Sequence, residues 1–184
     1  LEMNNNRVLM VCYYYPPLVT SGVARSLSFS KELTNLGWDV EVLSVSKSFD
    51  PWVSKGSEVP NNIPISRSFE LPLSSFIELL QGISSKIFKL FNVDLKKNYF
   101  REYLSIPDDQ LFWMFEFKAL KLAKDVDYIY VSSSPFSSAF KLALLKPFLK
   151  KPLVVDFRDL WAVNPKRNVS RFRDIVSRWM ESLI

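Results

Sequence analysis

The order of apolar and polar positions over the first 45 residues predicts a strand, a helix and a second strand. Apolar residues run almost without interruption over positions 7–15 and stop at Pro16 and Pro17, which is typical of a strand buried on both faces. The apolar residues of the next segment, 22–36, fall on one half of a helical wheel: Val23, Leu27, Phe29, Leu33 and Leu36. Residues 39–45 return to a strand pattern, so the segment predicts a βαβ unit with a parallel sheet.

Helices and strands continue to alternate after residues 46–72, which are mostly loop with a short strand at 63–65. Further helices are predicted over residues 74–91, from Asp108 or Asp109 to Lys124, from a Ser132–Pro135 cap to Phe148, and over 171–184. Further strands are predicted at Asp127–Ser132 and Pro152–Asp156. The fold class is therefore α/β, a Rossmann-like parallel sheet with helices on both faces.

The chain is long enough for one domain with a substantial core, since it has 184 residues and 48% of them are hydrophobic. Leu1 and Glu2 precede Met3 and have the character of an expression scar, which leaves residues 3–184 as one Rossmann-like domain. The final helical pattern contains no Gly, Asn or Pro that would end it. We therefore expect this domain to be part of a longer protein.

Composition excludes several classes of chemistry. The chain has no histidine and one cysteine, Cys12, which excludes His-based acid–base catalysis within it and an intrachain disulfide, and disfavours a zinc site. We expect no metal or cofactor, and a cytoplasmic location. The net charge of +5 is spread over separate patches, so no nucleic-acid partner is expected. No apolar run is long enough to span a membrane.

Three segments are expected at the carboxyl edge of the sheet, where ligands of open α/β sheets bind. In the first, Ser21 and Gly22 open a helix whose free N–H groups favour a phosphate, although the glycine is equally explained by a turn. In the second, Ser133 and Ser134 can contact a ligand or cap the following helix. No dinucleotide-binding or P-loop glycine pattern is present.

The third segment directly follows a buried strand and carries Asp156, Arg158 and Asp159. Two carboxylates beside a guanidinium predict either an ion pair that fastens the loop or a polar wall for a hydroxylated or anionic ligand. Trp161 follows them and can stack on a ligand, with core packing as the alternative.

Basic and aromatic residues alternate after the middle of the chain. Lys86, Lys89, Lys96 and Lys97 accompany several aromatic side chains, which favours contact with an anionic membrane surface. The alternative is that these lysines form the solvated face of an ordinary core helix.

Five spaced motifs resemble the N-terminal domain of glycosyltransferase family 4, the group 1 bacterial enzymes of polysaccharide assembly, over nearly all of residues 7–184. The motifs are Tyr13–Pro17 with Ser21–Leu27, Gly37–Trp38, Pro107–Gln110 with Trp113, Ser132–Pro135, and Asp156–Trp161. The resemblance implies the N-terminal half of a GT-B fold, in which two Rossmann-like domains face each other across a cleft. It implies transfer of a sugar from a nucleotide-sugar, with retention of configuration, and no obligatory metal.

The resemblance also implies roles for single residues. Ser21 and Gly22 would approach the donor phosphates. Six residues would line or brace the acceptor side: Asp108, Ser133, Ser134, Asp156, Arg158 and Asp159. The last three of these are the catalytic candidates. The absent C-terminal domain would supply most of the donor site, so the isolated domain should not transfer sugar.

The expected acceptor is a glycan or lipid-linked polysaccharide precursor, and the expected location is the cytoplasm or the inner face of the plasma membrane. One departure from the family is that Phe140 stands where related sequences often carry a histidine. The alternative function is a non-catalytic, membrane-peripheral binding or scaffold domain with a glycosyltransferase-like fold.

Overall fold

The computed structural model describes residues 6–48, 54–91, 99–163 and 169–184. Five parallel strands form the main sheet in the order β5-β3-β1-β6-β7, and β2 pairs with β4 in a separate antiparallel ribbon. The strands are β1 Arg7–Val11, β2 Leu18–Val19, β3 Asp39–Val45, β4 Ser54–Lys55, β5 Ile65–Ser68, β6 Tyr128–Ser132 and β7 Leu153–Asp156. The helices are α1 Ser21–Asn35, α2 Leu73–Leu90, α3 Tyr99–Leu104, α4 Glu116–Leu122, α5 Phe136–Leu149 and α6 Arg171–Ser182, with a 3₁₀ turn at Ala123–Asp125. The predicted α/β, Rossmann-like class is confirmed.

Helices cover both faces of the sheet because the strand residues alternate between two apolar layers. On one face Leu9 and Val11 of β1 pack with residues of α4 and α5, including Ala119 and Leu142. On the other face Val8, Met10 and Cys12 pack beneath α1, whose Leu27 and Leu33 close that layer. Since β1 is flanked by β3 and β6, its residues after Arg7 are almost fully buried.

Strand β1 is shorter than the predicted run over residues 7–15. The Cys12 N–H still donates to the carbonyl of Leu43 at 2.9 Å, but the chain then leaves the sheet. Tyr13 and Tyr15 pack into the opposite core layers instead, so the apolar run continues past the strand because these rings are core residues. The short strand predicted at 63–65 lies at Ile65–Ser68.

The helix predicted from Asp108 to Lys124 is also shorter, and α4 begins only at Glu116. The preceding Trp113 and Phe115 are fully buried, and Trp113 forms an isolated bridge with Glu70. Asp108 does not cap this helix. Its Oδ2 accepts a hydrogen bond from the N–H of Ser137, in the first turn of α5, at 2.9 Å. Residues 108–115 are therefore held by tertiary contacts rather than by a continuous helix.

The beginning of α5 differs from the predicted serine cap in a related way. Pro135 occupies the N-cap position, not the first helical turn, and no side chain at that position caps the helix. Asp108 satisfies one of the free N–H groups from a distant part of the chain, so Ser134 is not needed for this role.

Candidate functional site

The centre of the sheet contains a topological switch point between β1 and β6. From β1 the chain moves to β3 and β5 on one side, whereas β6 leads to β7 on the other. Ligands of open α/β sheets bind outside the carboxyl ends of strands at such a point. Segments 16–22, 132–135 and 156–161 follow β1, β6 and β7, so all three lie at the predicted edge.

Gly22 and Arg158 meet at this edge although 136 positions separate them in the sequence. A Cβ placed on Gly22 would lie 2.8 Å from Nη1 of Arg158 and 3.1 Å from the ring of Tyr14. Only glycine leaves room for the guanidinium at this position, because a Cβ would be too close to it. The glycine therefore allows Arg158 to approach the backbone of α1 closely. Arg158 therefore lies against the first turn of α1.

The first turn of α1 combines several groups that attract an anion. It is the N-terminus of a 15-residue helix, where free N–H groups and the positive end of the helix dipole meet. Thr20 is the N-cap residue, but its Oγ1 makes no cap bond, and this buried atom has no hydrogen-bond partner among the described residues. The Arg158 guanidinium adds a full positive charge at the same place. Two positive groups side by side favour a bound phosphate or carboxylate.

Asp156 is engaged by α1 and β6. Arg25 donates to it from Nε at 2.8 Å and from Nη2 at 2.7 Å, and the Tyr130 hydroxyl donates at 2.7 Å. Burial raises the pKa of Asp156, but the hydrogen bonds from Arg25 and Tyr130 and the positive charges of Arg25 and Arg158 outweigh it, so the pKa lies below its ordinary value. Asp156 is thus an ionised anchor that ties the end of β7 to α1. Asp159 is exposed.

Arg25 and Tyr130 are the residues that the sequence pattern missed. Arg25 lies outside the apolar half of the predicted helical wheel, and Tyr130 lies within the predicted strand Asp127–Ser132. With Asp156 they line a groove of about 520 Å³ whose apolar wall includes Phe29 and Val154. The available signal was spacing, because Arg25 lies three residues after Gly22 and so follows it on one helix face.

The remaining acceptor-side candidates are held by the fold. Ser133 is fully buried, and both its N–H and its hydroxyl donate to the carbonyl of Asp156, at 3.0 and 2.8 Å. Ser134 is half-buried at the same edge. Burial raises the pKa of Asp108 above its ordinary value, although the bond from Ser137 opposes this. These three residues therefore give the wall of the crevice at the carboxyl edge of the sheet a fixed shape.

Aromatic residues beneath this edge form a structural layer. Trp161 is buried and stacks on Phe136, with ring centroids 4.9 Å apart, which confirms the core-packing alternative. Phe140 packs with Trp179 of α6, with ring centroids 6.2 Å apart. The described residues contain no group of three His, Cys, Asp or Glu side chains that could hold a metal ion. Burial raises the pKa of Cys12 to about 12, so this thiol is unreactive.

Two of the four lysines predicted to contact a membrane lie within the described residues. Lys86 and Lys89 are exposed on α2, whereas Lys96 and Lys97 lie outside the described residues. No helix within the described parts of the chain is long and apolar enough to cross a bilayer.

Comparison with known proteins identifies no relative by sequence. No family model and no curated protein matches the chain. Among solved structures, the C-terminal domain of a hydrogenase from Pyrococcus furiosus aligns with a TM-score of 0.46 and 15% sequence identity, covering 85% of this chain and 96% of that domain.

Proposed function

We propose that this domain is the acceptor-side half of a glycosyltransferase that uses a nucleotide-sugar as donor. The observation that carries the proposal is the Arg158 guanidinium against the first turn of α1, at the switch point of the sheet. A sugar nucleotide presents a diphosphate, and this site offers helix N–H groups, a hydroxyl and a guanidinium to such a group. Three of the five sequence motifs that resemble glycosyltransferase family 4 reach the same edge, at Ser21–Gly22, Ser132–Pro135 and Asp156–Trp161.

In this function the anion site acts on the leaving group. When the bond between sugar and phosphate breaks, negative charge builds up on the departing phosphate, and groups already oriented toward it lower the barrier. The first turn of α1, with Ser21 and Gly22, and Arg158 are the groups that this chain contributes. The acceptor hydroxyl would transfer its proton to that phosphate, as the resemblance implies.

Asp156 has a positioning role in this proposal. An ionised carboxylate whose pKa is lowered by Arg25 and Tyr130 is a weak base, so it is not suited to accept the acceptor's proton. It instead fastens β7 to α1 only two residues before Arg158, which holds the guanidinium over Gly22. Asp108, Ser133 and Ser134 are proposed to shape the wall that meets the acceptor.

The proposal includes a cytoplasmic enzyme that associates peripherally with a membrane and acts on a lipid-linked glycan precursor. Exposed Lys86 and Lys89 support an anionic surface as partner. The alternative function, a non-catalytic scaffold domain, would use the same membrane-binding surface. It would not require the close contact between Arg158 and Gly22.

The test is a nucleotide-release assay on the full-length protein with a panel of UDP- and GDP-sugars and a membrane extract as the acceptor source. Arg158→Ala should reduce release by about 10- to 100-fold, since one donor to the developing charge is removed. Arg178→Ala is the matched control, because Arg178 is an exposed arginine of α6 that pairs with Asp174. Failure of every donor, or full activity of Arg158→Ala, would contradict the proposal.

A further inference from the structure

Helix α2 carries its most apolar strip on the outside of the molecule. At about 100° per residue, five side chains fall within an arc of about 80° on this helix. Each is at least 49% exposed, and Leu90 reaches 82%. The five residues, called here the α2 strip, are Phe76, Leu79, Ile83, Ile87 and Leu90.

The contacts of α2 explain why the strip stays uncovered among the described residues. Leu73 and Ile77 in the first two turns are buried and anchor the helix to the body. Helix α3 packs against a different side, where the Phe100 N–H donates to Gln81 and Arg101 lies 3.6 Å from Glu78. The apolar side of α2 is therefore left open while its polar side is used for packing. An ordinary core helix shows the reverse arrangement.

The charges beside the α2 strip suit an anionic surface. Lys86 borders the strip on the helical wheel, Lys89 lies about 80° from it on the polar side, and both are exposed. The carboxylate of α2, Glu78, lies on the polar side near Arg101. Lys86 can direct its ammonium group to a lipid phosphate while its alkyl stem lies along the apolar strip, and Lys89 adds positive charge from the polar side.

The dimensions of α2 suit the plane of a bilayer interface. Its 18 residues give a length of about 27 Å at about 1.5 Å per residue, with one continuous apolar strip along that length. Because Lys86, Lys89 and Glu78 lie within the helix, it is not apolar enough to cross a bilayer. An amphipathic helix of this kind lies parallel to the surface with its apolar side below the headgroups.

We propose that the α2 strip inserts into the interface of an anionic lipid bilayer and is the membrane-docking surface of this protein. This proposal names the surface through which the peripheral membrane association of the proposed function would occur. It rests on the proposed function only for the reason why the protein would bind a membrane. Insertion of apolar side chains provides most of the binding, and Lys86 and Lys89 add a salt-sensitive part.

The test is flotation of the protein with vesicles of phosphatidylcholine and phosphatidylglycerol in a ratio of about 2:1. Ile83→Gln/Ile87→Gln should weaken binding at least about tenfold, because two inserted side chains become polar. The matched control is Leu144→Gln/Phe148→Gln, which changes two exposed apolar residues of α5 at the same spacing and should bind like the wild type. Lys86→Gln/Lys89→Gln should lose only the part of binding that added salt also removes.

A second measurement reports insertion directly. Cys12 is the chain's one cysteine and is fully buried, so an Ile87→Cys variant can be labelled selectively with an environment-sensitive fluorophore. The label should move to shorter emission wavelengths on adding these vesicles, whereas a label on Leu144→Cys should not.

Three results would overturn the proposal. One is equal vesicle binding by the wild type and Ile83→Gln/Ile87→Gln. Another is loss of binding in the lysine variant alone, which would make the contact purely electrostatic. The third is no vesicle binding but a dimer that Ile83→Gln/Ile87→Gln dissociates, which would assign the strip to a second copy. Vesicle flotation and the emission shift are measured without donor or acceptor, so failure of the glycosyltransferase proposal is recognised separately.

Discussion

Helices α1 and α2 are both amphipathic and similar in length, but they use their faces in opposite ways. Helix α1 buries small polar residues against the sheet: Ser26 and Ser30 are buried while Phe29 is 40% exposed. Helix α2 leaves its apolar strip outside and packs through Leu73, Ile77 and its polar side. A hydrophobic pattern therefore shows that a helix has two faces, but what each face meets depends on the rest of the chain.

The difference follows from what lies beneath each helix. Under α1 the hydroxyl of Tyr15 needs a partner, and Ser30 supplies one at 2.8 Å while also donating to the carbonyl of Leu27. A leucine at that position would leave the phenol unpaired in the core. Helix α2 packs on the rest of the domain mainly through Leu73 and Ile77 in its first two turns. No described part of the chain covers the α2 strip.

The comparison is tested most strongly inside α1. Ser30→Leu should lower the free energy of unfolding by about 3 kcal/mol, because a fully packed site is overfilled and Tyr15 loses its partner. Urea denaturation measures this change. Ser28→Leu, at an exposed position of the same helix, should stay within about 0.5 kcal/mol of the wild type. Equal effects of the two changes would contradict the role of Ser30.

The next largest effect concerns binding at the first turn of α1. Gly22→Ala should weaken UDP binding by about tenfold, since its Cβ displaces the Arg158 guanidinium. Stability should change by less than about 1 kcal/mol, because the end of a flexible side chain can move. Isothermal titration checks the affinity. Gly82→Ala is the control, as a Cβ there meets no atom within 4 Å and should leave UDP binding unchanged.

Removing the charge of Asp156 tests how α1 is fastened to β7. Asp156→Asn should cost about 1 kcal/mol at neutral pH, the range of a partly exposed charge-assisted pair. Because folding lowers the pKa of this carboxyl, its stabilisation is present above the ordinary value of 3.8 and is lost as pH falls through the folded value. The difference between variant and wild type, measured by urea unfolding, should therefore shrink at acidic pH. A constant difference across pH would exclude this linkage.

The smallest change in stability is expected on α2. Ile83→Gln should leave the free energy of unfolding within about 0.5 kcal/mol of the wild type, because this side chain is already half in solvent. Ile77→Gln, six residues earlier and buried, should cost about 3 kcal/mol. If both variants destabilise the protein equally, the α2 strip is covered by something in the folded chain.

Much of the fold was predictable because its strands and helices are encoded locally. Strand β3 was predicted with its observed bounds, Asp39–Val45, and α2 within one residue at each end. Predictions failed where a distant contact replaced a local one. Asp108 was expected to cap its own helix, but the N–H of Ser137 lies within its reach once β6 and α5 are in place.

The site was predictable only as far as its place in the sheet. The sequence motifs placed Ser21, Gly22 and Arg158 at the carboxyl edge, since parallel strands bring successive loops to one side. The sequence could not show with which basic side chain each carboxylate forms an ion pair. Asp156 has Arg158 two residues away, but the guanidinium of Arg25 reaches it across 131 positions with better geometry, and Arg158 is left for Gly22.

The central place of β1 also has a consequence for how the chain is made. A ribosome releases β1 before the other strands of this sheet, and β3 and then β5 can add to one side of it soon afterwards. The other side of β1 has no partner until Tyr128–Ser132 emerges, and Asp156 reaches Arg25 later still. During that interval the nascent chain carries an unpaired strand edge in its most apolar segment, which is the state in which it is most open to chaperones or to aggregation.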